Sequence, residues 1–299
     1  TFIATAEVIS LLGATPVFVD IDPDTYNINP EKLLKAIEAL QAGSGQRGTV
    51  GKKLTPKGII PVDLFGLPAE YEEINRIAKA HGLFVLEDAA QSLGGSYKGK
   101  RVGNVTDIAA TSFFPAKPLG GYGDGGAIFT NDEAMGHRLR SLREHGKGSH
   151  KYDNVRIGIN GRLDTLQAAI LLPKLEIFES EIKDRQEVAE RYSNGLKEFV
   201  TVPRIPDGLL SAWAQYSVMA DKREGYINTL KELGIPTAIY YPRPLHLQTA
   251  FVHLGHRQGD FPIAEHVSER IFSLPMHPYL EAHDQERIIT AMRKAHDEI

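Results

Sequence analysis

Residues 108–130 read "IAATSFFPAKPLGGYGDGGAIFT", two apolar runs with a single lysine between them. The runs 108–114 and 126–130 are short and almost unbroken by polar residues, which is typical of strands buried on both faces. The glycines of 120–126 allow the backbone to turn sharply and begin the next strand. They lack the spacing and the strand–loop–helix context of a nucleotide-phosphate loop, so they do not indicate an ATP site. Lys117 is therefore predicted to lie in a turn just beyond the end of a strand.

Similar apolar runs precede this stretch and alternate with amphipathic segments. Further strands are predicted at 15–21, 58–65 and 83–88. The helical segments of this half are predicted at 30–40, 68–81 and 131–145. Alternation of strand and helix predicts an α/β fold with a mostly parallel sheet covered by helices. The Gly- and Lys-rich segment 41–57 has no apolar face and is predicted to be a surface loop insertion.

The pattern changes after residue 160. Apolar residues keep a helical period from 163 to 199, and Pro173 inside this run predicts a kink or a division into two helices. The remainder predicts strands at 212–220 and 236–242 and helices at 225–234, 262–272 and 282–297. We therefore expect a large domain over 1–163, a linking helix or helix pair over 164–199, and a smaller α+β domain over 200–299.

Composition narrows the classes of protein. The chain has 299 residues, of which 42% are hydrophobic, enough for a large core. A net charge of −4 and a pI near 6.3 argue against nucleic acid or anionic membrane as main partners. The absence of cysteine excludes disulfides, thiol nucleophiles and cysteine-ligated metals. No run approaches the roughly 20 apolar residues of a membrane span, and the start lacks the basic region of a signal peptide, so we expect a cytoplasmic enzyme.

An acidic residue and a lysine follow the ends of two neighbouring predicted strands. Asp88 ends the run 83–88, and Lys117 follows the next strand, at the rim where open α/β sheets bind ligands. A lysine amine desolvated among Phe113, Phe114 and Pro115 would have a lowered pKa and could form a Schiff base with an aldehyde cofactor. The carboxylate could hold a pyridinium nitrogen protonated. A helix N-cap for Asp88 and a surface lysine for Lys117 are the alternatives.

Three ordered motifs then point to a family. The segments "EDAAQSLGGSYKGK" (87–100), "TSFFPAKPLGGYGDGGAIFTND" (111–132) and "GINGRLDTLQAAIL" (158–171) resemble signatures of the DegT/DnrJ/EryC1/StrS family, and the resemblance covers essentially the whole chain. It implies a pyridoxal-phosphate-dependent sugar-nucleotide aminotransferase with the aspartate-aminotransferase fold, fold type I. The branch acting on UDP-2-acetamido-2-deoxy-3-oxo-glucuronate, which serves lipopolysaccharide or O-antigen biosynthesis, is the most similar.

The resemblance implies roles for the residues around the lysine. Lys117 matches the lysine that forms the internal aldimine with pyridoxal 5′-phosphate, with pyridoxamine phosphate as the intermediate form. Asp88 matches the partner of the pyridine nitrogen. Gln91 matches a residue near the phenolic oxygen of the cofactor, with a polar cap on the following helix as its alternative. No cluster has the spacing of metal ligands.

Other cofactor contacts are implied in the same way. Ala90 and Phe2 match residues on the two faces of the ring, and both could instead belong to the core. Ser112 matches a phosphate-binding hydroxyl, although by itself it would be a buried, satisfied serine. Asn160 matches an asparagine that reaches the phosphate of the neighbouring subunit, which implies a homodimer with composite active sites. The alternative for Asn160 is a simple Asn-Gly turn.

Substrate contacts are implied further along the chain. Arg162 matches a residue of the glucuronate branch, where its guanidinium would pair with a carboxylate or diphosphate; otherwise it is an exposed residue near a helix start. Tyr241 matches a residue near the sugar. Many members of that branch have His-Tyr at this point whereas this chain has Tyr240-Tyr241, so the role of Tyr240 is less defined, and packing could explain both tyrosines.

The resemblance also sets limits and alternatives. Family members begin with a segment before the "TFIATAEVI" of residues 1–9, in which a Gly-Thr turn binds the cofactor phosphate, so the large domain is expected to lack its N-terminal part. L-Glutamate is the expected amino donor. A pyridoxamine-dependent dehydratase is disfavoured because those enzymes carry His where this chain has Lys117. A dTDP- or GDP-4-keto-6-deoxy sugar as substrate, and a non-catalytic regulatory or binding protein, remain as alternatives.

Overall fold

The computed structural model describes residues 1–45, 54–150 and 152–299 of the chain. Within them the helices are α1 (Ala4–Leu11), α2 (Pro30–Gln41), α3 (Tyr71–His81), α4 (Glu133–Arg143), α5 (Thr165–Leu196), α6 (Arg223–Glu232), α7 (Pro262–Arg270) and α8 (Ala282–Glu298). The strands are β1 (Gly58–Ile59), β2 (Phe84–Asp88), β3 (Ser96–Tyr97), β4 (Lys100–Arg101), β5 (Ile108–Ser112), β6 (Gly126–Thr130), β7 (Leu209–Leu210), β8 (Tyr216–Met219) and β9 (Ile271–Leu274). None of the described helices is long and apolar enough to cross a membrane.

The main sheet has the order β1-β2-β5-β6. Strands β1, β2 and β5 run parallel, and β6 returns antiparallel to β5. The register pairs Asp88 with Ala110 and Ser112 with Gly126, so the carboxyl ends of β2 and β5 lie side by side. The α/β class and the predicted strands at 83–88, 108–114 and 126–130 are confirmed, with small differences at their ends.

Helices cover the sheet with apolar faces that the sequence pattern anticipates. Helix α3 places its buried residues at helical spacing on one side: Tyr71, Ile74, Ile77 and Ala78. These side chains belong to one core cluster with buried residues of α2 and β2. The helix ends at His81 and is followed by Gly82, whose φ of +65° is the left-handed conformation typical of a glycine after a helix.

Helix α5 is a single helix of 32 residues, whereas the position of Pro173 predicts a kink or two helices. Proline removes the N–H that would bond the carbonyl of Ala169. Ala169 is exposed, so that carbonyl can bond to water and the helix is not divided. The C-terminal half of α5 packs into the core of the last hundred residues through Val188, Tyr192 and Leu196, together with β8, β9 and α8.

Several predicted strands are wrong in this structure. Residues 15–21 form only an isolated bridge between Ile21 and Ile28, and 236–242 only a bridge from Ala238 to Ser273. The run 58–65 yields the two-residue β1, a bridge from Val62 to Asp88, and a helical turn over 64–66. An apolar extended segment becomes a strand only when a neighbour pairs with its backbone, and the described residues provide no full ladder beside these segments.

The chain returns to the large domain after α5. Strand β7 pairs with β3, so residues 200–299 share a three-stranded sheet, β4-β3-β7, with the predicted large domain. A second link is Asp20, whose carboxylate accepts the backbone N–H groups of Ile263 and Ala264 in the first turn of α7. Residues 46–53 of the loop predicted at 41–57 lie outside the described residues.

Candidate active site

The turns that follow β2 and β5 form one rim of the main sheet. Asp88 is the last residue of β2, and Ala89 N–H donates to the carbonyl of Ala110 in the neighbouring strand. After β5 the chain folds back on itself: Lys117 N–H donates to Phe114 at 2.9 Å and Gly121 N–H to Phe113 at 2.7 Å. These bonds close a tight loop that presents Lys117 at the rim, as the sequence predicts.

The Asp88 carboxylate is held by two donors from different parts of the chain. Thr5 Oγ1 donates to Oδ2 at 2.6 Å, and the Ala90 backbone N–H donates to Oδ1 at 3.1 Å. Residues 90–94 form turns, so Asp88 orders a turn and does not cap a helix. Hydrogen bonds from both donors favour the ionised form of Asp88, and an ionised carboxylate can pair with a cationic group. No sequence signal identifies Thr5, which lies 83 residues from its partner.

Lys117 lies close enough to Asp88 for the charge of the carboxylate to act on its amine. Burial lowers the pKa of this lysine below its usual range, and the Asp88 charge partly opposes that effect. The apolar shield predicted from its neighbours is incomplete, because Phe113 is half-buried while Phe114 and Pro115 are exposed. A lysine with a lowered pKa reaches its neutral, nucleophilic form more easily.

The glycine loop after Lys117 is fastened by the start of α5. Gln167 Oε1 accepts the Tyr122 N–H at 2.8 Å, and Lys174 Nζ donates to the Gly120 carbonyl at 2.6 Å. At Gly120 a Cβ would lie 2.5 Å from the Pro115 carbonyl oxygen, so only glycine fits this close approach. Gln167 and Lys174 are seven residues apart, so they lie on one face of α5. This spacing can be read from the sequence, but it does not show that the face contacts the loop after Lys117.

Gln91 and Tyr241 are brought together from distant parts of the chain. Gln91 Oε1 accepts the Phe65 N–H at 2.6 Å, and its Nε2 donates to the Tyr241 hydroxyl at 3.2 Å. Burial raises the pKa of Tyr241. Tyr240 packs edge-on against Tyr241, with ring centroids 5.6 Å apart, and both rings join a small core cluster. The structure thus places Gln91 in the turn that follows Asp88, with Tyr241 bonded to it and Tyr240 packed against Tyr241.

The other predicted residues are distributed around the rim and the surface. Ser112 Oγ accepts the Phe114 N–H at 3.2 Å, and Ala90 is half-buried next to Asp88. Phe2 exposes 60% of its surface. Asn160 and Arg162 are exposed at the end of the hairpin that follows α4, and among the described residues neither forms a hydrogen bond or ion pair with Asp88. Among the residues that the structure describes, no group of acidic and histidine side chains could hold a metal ion.

Comparison with known proteins gives a consistent family. The model described as the DegT/DnrJ/EryC1/StrS aminotransferase family matches residues 1–293. The chain is 48% identical over 295 residues to the UDP-2-acetamido-2-deoxy-3-oxo-D-glucuronate aminotransferase of Pseudomonas aeruginosa, an alignment that covers 98% of this chain and 76% of that protein. It is also 43% identical over 293 residues to a pleiotropic regulatory protein of Geobacillus stearothermophilus, with 97% of this chain and 74% of that protein covered.

Solved structures agree. A DegT DnrJ EryC1 StrS aminotransferase from Brucella abortus superposes with a TM-score of 0.94 at 54% identity, covering 99% of this chain and 77% of that one. DesV of S. venezuelae, in complex with a ketimine intermediate, gives a TM-score of 0.91 at 34% identity, with 100% and 77% covered. The ntda protein of Bacillus subtilis, with bound cofactor PMP, gives 0.85 at 26% identity, with 99% and 66% covered.

Proposed function

The chain belongs to the DegT/DnrJ/EryC1/StrS aminotransferase family, and on that premise we propose that it transfers an amino group from L-glutamate to the keto carbon of a nucleotide-linked sugar. It is an enzyme of the aminotransferase class, and its cofactor is pyridoxal 5′-phosphate. The substrate we propose is UDP-2-acetamido-2-deoxy-3-oxo-glucuronate, on the relation to the Pseudomonas aeruginosa enzyme. The proposed setting is the cytoplasm, in the synthesis of lipopolysaccharide or O-antigen.

The observation that carries this proposal is the proximity of Lys117 to Asp88 at the rim where β2 and β5 end side by side. The donor set fits the cofactor, because a half-buried amine suits an aldehyde and a carboxylate held by Thr5 and Ala90 suits a protonated ring nitrogen. When bound, the cofactor supplies an aldehyde that exchanges amines and a ring that draws electrons from the reacting carbon. Ser112 would contact the phosphate, Gln91 the phenolic oxygen, and Ala90 and Phe2 the ring faces.

Lys117 also moves the proton. Its Nζ removes the proton from Cα of the amino donor, and in the second half-reaction it delivers a proton to the sugar carbon that carried the keto group. The lowered pKa of this amine brings its neutral form nearer to working pH, as a general base requires. Asp88 remains fixed throughout by the hydroxyl of Thr5 and the amide of Ala90.

The active sites are proposed to be composite, with Asn160 supplied by the neighbouring copy of a homodimer. Support comes from large apolar side chains around Asn160 that stand out into solvent: Ile157 is 94% exposed, Ile159 68% and Leu166 78%. Adjacent exposed side chains of this size are typical of a surface that another protein covers. On the same surface Arg162 is exposed, and we assign it to the carboxylate or diphosphate of the substrate, with Tyr241 and Tyr240 nearer the sugar.

A second candidate is a regulatory protein without turnover, favoured by the 43% identity to the pleiotropic regulatory protein. One assay separates the candidates. The purified protein is given pyridoxal phosphate, L-glutamate and, in turn, the UDP-3-oxo-glucuronate, a dTDP-4-keto-6-deoxy sugar and a GDP-4-keto-6-deoxy sugar, and release of 2-oxoglutarate is measured. Preference for a dTDP or GDP sugar would overturn the substrate but not the chemistry. No release with any sugar would favour the regulator.

The matched variants for this assay are Lys117→Ala and Lys183→Ala. Lys183 is an exposed residue of α5, so its variant should keep wild-type turnover. Lys117→Ala should lose turnover entirely, together with the cofactor absorbance that depends on the lysine. Full activity in Lys117→Ala would refute the assignment of this lysine.

A further inference from the structure

Two carboxyl groups, Asp63 and Glu87, lie fully buried next to the candidate site, each with 0% of its surface exposed. Successive residues of a strand point to opposite faces, so Glu87 lies on the face of β2 opposite to its neighbour Asp88. The Glu87 carboxyl lies within hydrogen-bonding range of the Asp63 carboxyl. Buried acids this close cannot both be ionised without a large cost, since no water is available to solvate either charge.

The two carboxyls differ in the donors that they receive. Asp63 Oδ1 accepts the Tyr71 hydroxyl at 2.6 Å and the Ala69 N–H at 2.9 Å, and its Oδ2 accepts the Ser92 hydroxyl at 2.7 Å. Glu87 Oε1 accepts the Gly103 N–H at 3.1 Å, whereas its Oε2 is buried with no donor among the described residues, since the nearby Thr106 hydroxyl donates to the Ile108 carbonyl at 2.8 Å. The three donors around Asp63 therefore favour its ionised form, whereas Glu87 has one oxygen whose hydrogen-bonding capacity a proton would satisfy.

We propose that Glu87 holds a proton on Oε2 and donates it to Asp63, so that the buried pair carries one negative charge and positions the turn that bears Asp88. The proton satisfies the orphan oxygen and gives Asp63 a fourth donor. Burial raises the pKa of both carboxyls, and it raises that of Glu87 further. The other ionisable groups that act on the pair, Tyr71 and Asp88, supply no positive charge that would favour two carboxylates.

The pair is connected to the site through Asp63 and Ser92. Asp63 N–H donates to the Asp88 carbonyl at 3.1 Å, and Ser92 directly follows Gln91. Gln91 in turn accepts the N–H of Phe65, two residues beyond Asp63. Asp63 and Glu87 thus fix two turns that carry Asp88 and Gln91 without touching the reacting atoms, and we describe them as positioning residues. That role rests on the proposed function, whereas the location of the proton does not.

The proton can be observed without cofactor or substrate. Exposed carboxyls are ionised well below pH 7, and burial raises the pKa of Asp63 only to about 6, so the infrared spectrum of the wild type at pH 7 should contain the C=O band of protonated Glu87. The band should be absent in Glu87→Gln, whose amide replaces the acid with a donor of the same shape. The matched control Glu190→Gln, an exposed position on α5, should retain it. No band in the wild type, or its persistence in Glu87→Gln, would overturn the proposal.

Unfolding at a series of pH values provides a second readout. The folded state binds the Glu87 proton more tightly than the unfolded chain, so this group destabilises the fold as pH rises from the usual glutamate pKa to about 8. Over that window the folded-to-unfolded ratio of the wild type should fall by up to about tenfold per pH unit relative to Glu87→Gln. Parallel curves for the two proteins would overturn the proposal.

The positioning role is tested by comparing Glu87→Gln with Glu87→Ala. Glu87→Gln keeps the donor to Asp63 and the acceptor for Gly103, so it should retain cofactor absorbance and turnover within about twofold. Glu87→Ala removes both bonds and should lose at least tenfold in turnover, with altered cofactor absorbance. Wild-type values in a folded Glu87→Ala would overturn the positioning role. If the wild type itself binds no aldehyde cofactor, the proposed function fails, while the infrared and unfolding results still decide where the proton is.

Discussion

Replacing Thr5 by valine tests how the rim carboxylate is held. Valine has nearly the shape of threonine but lacks the hydroxyl that donates to Asp88 Oδ2 at 2.6 Å. A hydrogen bond to a charged group contributes about 1.5–3 kcal/mol, more than one between neutral groups. If the whole of that energy is needed in the transition state, kcat/KM falls roughly 10- to 150-fold, since each tenfold corresponds to about 1.4 kcal/mol.

The assay is kcat/KM for glutamate with the keto sugar, measured together with the Kd for pyridoxal phosphate and with thermal unfolding. Thr5→Ser keeps the hydroxyl and should recover most of the lost rate, because the bond to Asp88 can form again. Thr290→Val removes a hydroxyl from an exposed position on α8 and serves as the matched control. The unfolding temperature of Thr5→Val should remain near that of the wild type, because the substitution creates no cavity.

Two results would refute this reasoning. Thr5→Val with wild-type kcat/KM would show that Asp88 does not depend on the Thr5 donor. A loss that Thr5→Ser fails to restore would show that packing at this position matters, and not the hydroxyl. In either case the Ala90 N–H, which donates to the other oxygen at 3.1 Å, would be the sufficient support for the carboxylate.

Other predictions concern the loop, the link between the two halves and the exposed apolar surface. Gln167→Ala removes the acceptor of the Tyr122 N–H and should lower kcat about tenfold with KM little changed; an unchanged kcat would contradict the role of α5 in holding the loop. Asp20→Asn keeps one acceptor oxygen but removes the negative charge and the second acceptor, so it should cost about 1.5–3 kcal/mol of unfolding free energy at pH 7, the size of a hydrogen bond to a charged group. Burial by itself would raise the pKa of Asp20, but hydrogen bonds from Lys32 and from α7 outweigh this effect and lower the pKa. The wild type should therefore be more stable than Asp20→Asn above the ordinary aspartate pKa, and the difference should disappear as pH falls through the lowered pKa. A difference that stays constant to low pH would contradict the ion-pair origin. Ile157→Asp should yield a monomer by sedimentation with little turnover; an active monomer would contradict the composite site.

The sequence predicted the parts of the site that depend on sheet topology. Asp88 ends one apolar run and Lys117 follows the next, and these two runs form the parallel strands β2 and β5. The carboxyl ends of parallel strands meet at one rim of the sheet, so the two residues could be placed together from the sequence. Contacts made by distant side chains could not be predicted in this way. Thr5 contacts Asp88 across 83 residues and Gln167 contacts the loop across 45, and helical periodicity shows which residues share a face but not what that face meets.

Strand prediction failed where pairing, and not residue type, decides the structure. The run 15–21 has the apolar residues of a strand, yet only Ile21 forms a bridge. In 58–65, Pro61 has no N–H to donate, and Phe65 adopts a φ of +60°, so the ladder ends where the turn begins. Pro61 is visible in the sequence, but the backbone conformation of Phe65 and the lack of a pairing neighbour are not, because an apolar pattern records side chains whereas a ladder is formed by the backbone.

The adjacent acids Glu87 and Asp88 show how far local sequence can determine chemistry. They have similar side chains and successive positions in one strand, and they point to opposite faces of the sheet. Asp88 receives a hydroxyl and an amide donor at the rim, whereas Glu87 faces another carboxyl and keeps one oxygen without a donor. The fold supplies these donors from residues elsewhere in the chain. Because Asp88 has two donors and one oxygen of Glu87 has none, we expect Asp88 to be ionised and Glu87 to be protonated. A substitution that adds a donor beside Glu87 should move the proton, even with the acidic pair itself unchanged.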